Sequence, residues 1–233
     1  MSETVAMSET VLRICGVDLV PLPQAALWWP DEATLIVSDL HLEKGSAFAS
    51  RGVLLPPYDT RATLARLDAL MQRLRPARVI ALGDTFHDRT SRMRMDEADA
   101  ARLGALAASC DWVWIVGNHD PEPPRGVAGQ VGDEWRAGPL VFRHEPQSAP
   151  ATGEISGHLH PCAAVRVRGR RMRRRCIASD GTRAIMPAFG AFTGGLNVLD
   201  EAYGTLLPGL DFHAWMMGAD SVVPVAGRRL EAD

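Results

Sequence analysis

The sequence predicts an α/β sandwich, two packed mixed β-sheets flanked by helices. Three observations predict it. Between residues 34 and 116, short apolar runs alternate with segments of helical periodicity. Each of those runs ends in a polar cluster. Beyond residue 130 the pattern changes to short strand-like runs with close turns, which reads as a second, mostly antiparallel sheet.

The run Thr34-Leu35-Ile36-Val37 is short and β-branched and opens into Ser38-Asp39, as a buried strand leading into a loop does. From Asp59 to Leu74, Leu64, Leu67, Leu70, Met71 and Leu74 recur at helical spacing; Asp59 or Thr60 can cap the helix, and Pro76 stops it. A second strand, Arg78 to Leu82, leads into Gly83-Asp84. A helix from about Asp96 to Ser109 precedes a third strand, Trp112 to Val116, which leads into Gly117-Asn118. This order makes the three strands parallel neighbours joined by crossovers. The second sheet is expected from Leu140–Phe142, Glu154–Ser156, Ala164–Val167, Cys176–Ala178, Ala184–Met186 and Leu196–Leu199, and an irregular tail after about residue 203.

The 233 residues fit one sizeable domain, expected over 11–233, with residues 1–10 a disordered N-terminus. The repeat of Met-Ser-Glu-Thr-Val at residues 1–5 and 7–11 admits a start at Met7. A net charge of -3 excludes a globally basic nucleic-acid binder, so any such contact comes from a local patch. No apolar run approaches the roughly 20 residues of a membrane helix, and the four cysteines form no C-x-x-C pair; a reduced, cytoplasmic setting without a membrane is the expectation.

Five polar clusters follow in order: Asp39-Leu40-His41, Gly83-Asp84, Gly117-Asn118-His119-Asp120, His144, and Gly157-His158-Leu159-His160. Ligand sites in such sheets lie at the carboxyl ends of the strands, where the first three clusters fall. Residues two apart on extended backbone point the same way, so Asp39 with His41, and His158 with His160, can each face one centre. Carboxylate, amide oxygen and imidazole together suit two divalent ions of Mn, Fe or Zn better than Ca or Mg. Two such ions bring more positive charge than Asp39 and Asp84 remove, which leaves room for a phosphoryl group and a metal-bridging hydroxide as nucleophile. His119, beside Asn118 and free of a ligand role, is the expected general acid; Asp120 is expected to orient that imidazole or hold the loop.

This ordered set resembles the calcineurin-like metallophosphoesterase superfamily. The resemblance implies that Asp39, His41 and His160 bind one metal, that Asn118, His144 and His158 bind the other, and that Asp84 bridges them. His119 matches the superfamily's substrate-facing histidine. The stretches Ser38–Gly45 (SDLHLEKG), Gly83–Asp88 (GDTFHD), Phe142–Pro146 (FRHEP), Gly157–Pro161 (GHLHP) and Pro187–Val198 (PAFGAFTGGLNV) are similar to the bacterial ligase-associated DNA damage response endonuclease family. That resemblance implies Mn-dependent phosphodiester hydrolysis on DNA in the company of a DNA ligase, an exonuclease and a helicase.

For a DNA substrate, expected to be single-stranded, the nearby candidates are His87, Arg89, Arg92 and Arg94, just beyond Asp84. The stretch Arg166 to Arg175 reads as a hairpin turning at Gly169, either a phosphate contact or a solvated hairpin. The same ligands would serve a phosphomonoesterase or a cyclic-nucleotide phosphodiesterase. A non-enzymatic interaction module is the third reading, opposed by the intact ligand set.

Overall fold

The computed structural model describes residues 10–53, 55–56, 58–120 and 126–233. Residues 1–9, within the segment expected to be disordered, lie outside the described residues. The first sheet runs in chain order: β1 (Leu12–Ile14), β2 (Val17–Leu22), β3 (Ala26–Trp29), β4 (Thr34–Val37), β5 (Arg78–Leu82), β6 (Asp111–Ile115) and β7 (Gln130–Gly132). The strands from β1 to β4 pair antiparallel, and those from β4 to β7 pair parallel. The predicted parallel core of β4, β5 and β6 is therefore present, extended by an N-terminal meander that periodicity did not announce. Its first turn places Cys15 at φ 50 and Gly16 at φ 85, the left-handed pair that a tight hairpin needs.

Strands β4, β5 and β6 are buried on both faces, which is why they read as unbroken apolar runs. Ile36, Ile80, Leu82, Val113 and Ile115 meet Leu140, Phe142, Ile155, Ile177 and Met186 of the second sheet. On the opposite face Leu35, Val37, Val79, Trp112 and Trp114 pack under α2 (Asp59–Leu74) and α4 (Glu97–Ala108) through Leu64, Leu67, Leu70, Leu103 and Leu106. Each such Leu or Ile, fully buried, contributes about 1.5–3 kcal/mol. Two short helices, α1 (Lys44–Ala49) and α3 (Ser91–Arg94), lie in the loops after β4 and β5.

Asp96 caps α4, accepting from the Ala98 amide at 2.9 Å. At α2 the expected caps serve other purposes: Asp59 accepts from the Gly45 amide at 3.0 Å, and the Thr60 hydroxyl joins the Glu43 amide and carboxylate, each at 2.8 Å. Both residues therefore tie the loop after β4 to α2.

The second sheet comprises β8 (Glu134–Ala137), β9 (Leu140–Arg143), β10 (Glu154–Ser156), β11 (Pro161–Val167), β12 (Arg170–Ser179), β13 (Ala184–Ile185), β14 (Leu196–Asn197), β15 (His213–Met217) and β16 (Val222–Ala226). Its order is β14-β11-β12-β13-β10-β9-β8, with β15 added on β12 and β16 on β15. Three pairings are parallel, β9 with β10, β10 with β13, and β11 with β14, so this sheet too is mixed. The expectation of an irregular tail after residue 203 is corrected by β15 and β16. Pro224 concealed the second of them, and it is tolerated because β16 pairs only with β15, on the sheet edge. Among the described residues no helix is long and apolar enough to cross a membrane.

Candidate metal centre

The loops after β4 and β5 zip together beyond the sheet. The amides of Asp39, His41 and Leu42 donate to the carbonyls of Gly83, Asp84 and Thr85 at 3.2, 2.9 and 2.9 Å, and the His87 amide returns to Leu42 at 2.9 Å. From the other side Phe189 and Gly190 donate to the carbonyls of Ser38 and Asp39 at 2.7 and 3.1 Å, and the Gly157 amide binds the His144 carbonyl at 2.9 Å. Five separate segments are thereby brought together around one point between the sheets.

The backbone reaches that point in an unexpected conformation. Asp39, His41, Asp84, His158 and His160 have φ values of 52, 43, 46, 70 and 49 degrees. The side chains of Asp39 and His41 do converge, but from left-handed backbone and not from the extended strand assumed above. Such conformations cost of order 1 kcal/mol or more at each non-glycine residue and persist where the surroundings over-determine them, as at functional sites. Glycine supplies the remaining clearance. A Cβ on Gly157 would lie 2.5 Å from Asp39 Oδ2 and collide with the Ser38 hydroxyl, and one on Gly117 would collide with Asp84.

Two overlapping groups of donors result: Asp39, His41 and His160, and Asp39, Asp84 and His144. Asp39 Oδ1 is buried without a hydrogen-bond partner and faces His160 Nε2 at 3.1 Å, while Oδ2 accepts from Ser38 Oγ and from the His158 amide at 3.1 Å. Asp84 Oδ1 accepts from the His119 amide at 2.9 Å, leaving Oδ2 between His144 Nε2 at 3.5 Å and His41 Nε2 at 3.8 Å. His144 Nδ1 meets the Leu82 carbonyl at 2.8 Å, so it carries the proton, and the neutral ring turns the Nε2 lone pair inward. That Nε2 lies 2.8 Å from Asn118 Oδ1, which is also 3.1 Å from His158 Nδ1.

Without a cation these contacts are unfavourable, because lone pairs face lone pairs. Protonation is the other way to relieve them. Burial opposes a charged His144, yet the approach of Asp84 and the charge of Asp39 raise its imidazole to about 9. At His41 burial dominates the attraction of Asp39 and Asp84 and pushes the ring down to about 3, a neutral ligand at neutral pH. Burial alone would raise Asp39, but the close approach and charge of His160, with His144 and His41, hold it below the usual carboxylate range.

All seven expected ligands lie in this assembly: His41, His160, Asp39, Asp84, His144, Asn118 and His158. His119 stands at its edge, its side chain 43% exposed and its Nε2 3.9 Å from Asp84 Oδ2. Asp120 accepts from the Phe86 amide at 2.9 Å, so of its two expected roles the contacts fit holding the loop; the His119 ring is oriented instead by the His87 carbonyl at 2.9 Å. Burial pushes the Asp120 carboxyl up to about 7 against that amide contact.

His87 belongs to the rim, edge-on to His41 at 5.6 Å and stacked on His119 at 5.6 Å. Arg94 is engaged within the loop. Its guanidinium is consumed by Asp88 at 2.8 Å, Ser46 at 3.0 Å and Thr90, which makes it a clamp of the loop and not a free phosphate contact. Arg89 and Arg92 are exposed. The Arg166–Arg175 hairpin turns at Arg168 and Gly169, as expected, but Arg166 pairs with Glu231 at 2.9 Å and Arg171 with Asp233 at 2.7 Å. Sequence reasoning missed Ser38 and the Leu82 carbonyl; only the adjacency of Ser38 to Asp39 could have signalled the first.

Donors that converge in this way call for divalent cations, and at the carboxyl ends of parallel strands in a two-sheet frame they define a metal-dependent phosphoester hydrolase. The chain belongs to the calcineurin-like phosphoesterases, whose family model matches residues 33–174. It is similar to nuclease MPE of Pseudomonas putida, with 32% identity and a TM-score of 0.71 over 93% of this chain and 99% of that one. A protein of unknown function from Aquifex aeolicus matches at 14% identity and TM-score 0.38, over 55% of this chain and 78% of that one. The phosphoesterase Yfce of E. coli matches at 15% identity and TM-score 0.41, over 83% and 98%. Among curated proteins none matches.

Proposed function

We propose that the protein is a binuclear-metal phosphodiesterase that cuts DNA, a Mn-dependent endonuclease of DNA repair acting on single-stranded substrate. The observation that carries the metal part is the pair of donor groups that share Asp39. The similarity to a nuclease over nearly the whole of both chains supports the nucleic-acid part. In this reading Asp39, His41 and His160 hold one ion, Asn118, His144 and His158 hold the second, and Asp84 lies between them. Bound there, two ions supply Lewis acidity toward phosphoryl oxygens and acidify a water. The mixed oxygen and nitrogen donors admit Mn, Fe or Zn, and the motif resemblance is what favours Mn.

The chain's own groups do the rest. His144 is fixed in one tautomer by the Leu82 carbonyl, so it presents Nε2 without reorganisation. His119, with Nδ1–H held by the His87 carbonyl, carries a transferable proton on Nε2 when it is an imidazolium and gives it to the departing oxygen. Functional association with a DNA ligase, an exonuclease and a helicase belongs to the same reading and rests on the motif resemblance.

The test is cleavage of circular single-stranded DNA with Mn, Mg, Zn or no metal, beside Asp84→Ala. Cutting that needs Mn and Asp84 supports a metal-dependent endonuclease, since a circle offers no end. No cutting, with nitrophenyl phosphates still hydrolysed, moves the substrate to a small phosphoester.

A further inference from the structure

Three cations stand beside the centre with no carboxylate in salt-bridge range among the described residues: Lys44 at the start of α1, Arg66 in α2 and Arg175 in β12. The Arg66 guanidinium lies 4.3 Å from the centre of the Phe189 ring, with Nε and Nη2 buried and without hydrogen-bond partners. Arg175 Nη2 donates to the carbonyls of Gly190 and Thr193 at 2.8 and 2.9 Å. The Thr193 hydroxyl is also buried without a partner. Phe189 and Gly190 are the residues whose amides bind Ser38 and Asp39, so both guanidinia flank the segment directly behind a candidate ligand.

The cations are close enough to disfavour one another. Burial lowers Arg66 to about 10, and the charge of Arg175 pushes the same way. Burial also lowers Lys44, with Arg175 adding to the effect and Asp59 opposing it. On its other flank Lys44 acts on His87, whose imidazole is lowered by burial first and then by that charge. A row of cations thus leads from the His87 rim past Lys44 to Arg175 and Arg66. Elsewhere in the hairpin, Arg166, Arg171 and Arg173 are paired with Glu231 and Asp233. Like charges gathered at partial burial are costly unless an anion joins them.

We propose that Lys44, Arg66 and Arg175 form a second phosphate subsite that holds a backbone phosphate of a nucleic-acid strand beside the phosphodiester at the metal centre. The inference rests on the nuclease reading. Guanidinium donors suit the fork geometry of a phosphate, and a small ester has no second phosphate to place there.

The experiment measures binding of a phosphorothioate-linked oligothymidylate, which is cut slowly, to the Mn-saturated protein by fluorescence anisotropy over a range of salt. The variants are Lys44→Met and Arg66→Met, the latter keeping an apolar side chain on Phe189. Each is expected to weaken binding roughly 5- to 10-fold and to lower the slope of log K against log salt by about 0.7. Thermal unfolding and Mn content report whether a variant is folded, and Lys44→Met alone decides if Arg66→Met is not. Wild-type affinity and slope in folded variants overturn the subsite while leaving the nuclease reading in place. A wild-type protein that binds no oligonucleotide overturns both.

Discussion

His119 donates from Nδ1 to the carbonyl oxygen of His87, 2.9 Å away, and the two rings stack with centroids 5.6 Å apart. Residues from the loops after β6 and β5 thereby fix one imidazole at the mouth of the centre, with Nε2 3.9 Å from Asp84 Oδ2. His119→Ala is expected to retain Mn, measured by metal analysis, and to lose about 10²–10⁴-fold in hydrolysis. The loss should be largest for esters with poor leaving groups, which need the proton most. Equal turnover by the variant would remove His119 as the acid.

Close packing of backbone against the ligands predicts a contrast between glycines. Gly157→Ala places its Cβ 2.5 Å from Asp39 Oδ2, so the ligand has to move; the purified variant is expected to hold less metal than the wild type and to unfold at lower urea. Gly104→Ala, in α4 with nothing within 4 Å, is expected to stabilise by about 0.5–1 kcal/mol and to leave metal content alone. Similar behaviour in the two variants would contradict this account of the site.

The second sheet contains a buried ion pair away from the centre. Arg183 donates to Glu154 at 2.7 Å and to the carbonyls of Leu206 and Gln147 at 3.0 and 2.6 Å, with side-chain exposures of 1% and 3% for the pair. Glu154→Ala leaves the guanidinium uncompensated and is expected to cost about 3–5 kcal/mol, read from urea midpoints at constant m. A loss below 1 kcal/mol, the level of an exposed pair, would mean that water reaches Arg183.

Acid should loosen the loop after β5 through Asp88. Burial would raise this carboxyl, but hydrogen bonds from Arg94 and from the Thr90 hydroxyl and amide outweigh it, so its pKa is lowered on folding. A depressed carboxylate stabilises the fold above its unfolded pKa of about 3.9 and loses that contribution as pH falls below it. The stability gap between wild type and Asp88→Asn is therefore expected to be largest near about pH 6 and to shrink below about pH 4. A gap independent of pH would show that the loop does not depend on the charge.

Much of this centre was legible before folding. The apolar runs ending at Val37 and Leu82 announced parallel strands, and the polar residues after them had to lie at one edge of the sheet. The N-terminal meander and the pair β15 and β16 were not legible: most of these strands are no shorter than β4 and β5, but Pro21 in β2 and Pro224 in β16 argue against strands, and no polar cluster marks their ends. Arg94 and Arg175 illustrate a further limit. One looked like a phosphate contact and is held by Asp88, while the other sits in a hairpin where Arg166, Arg171 and Arg173 pair with the C-terminal residues and itself donates to backbone carbonyls.

The sequence by itself determined the donors and their order: Asp39 and His41 after one strand, Asp84 after the next, Asn118 and His119 after the third, and His158 with His160 beyond. Only the tertiary structure decided how they face one another. Left-handed backbone at Asp39, His41, Asp84, His158 and His160 is disfavoured by local sterics and is held by hydrogen bonds from segments far apart in the chain. Charge follows the same rule. Arg166 is paired by Glu231, a carboxylate 65 residues away, and that distance is closed only by the fold.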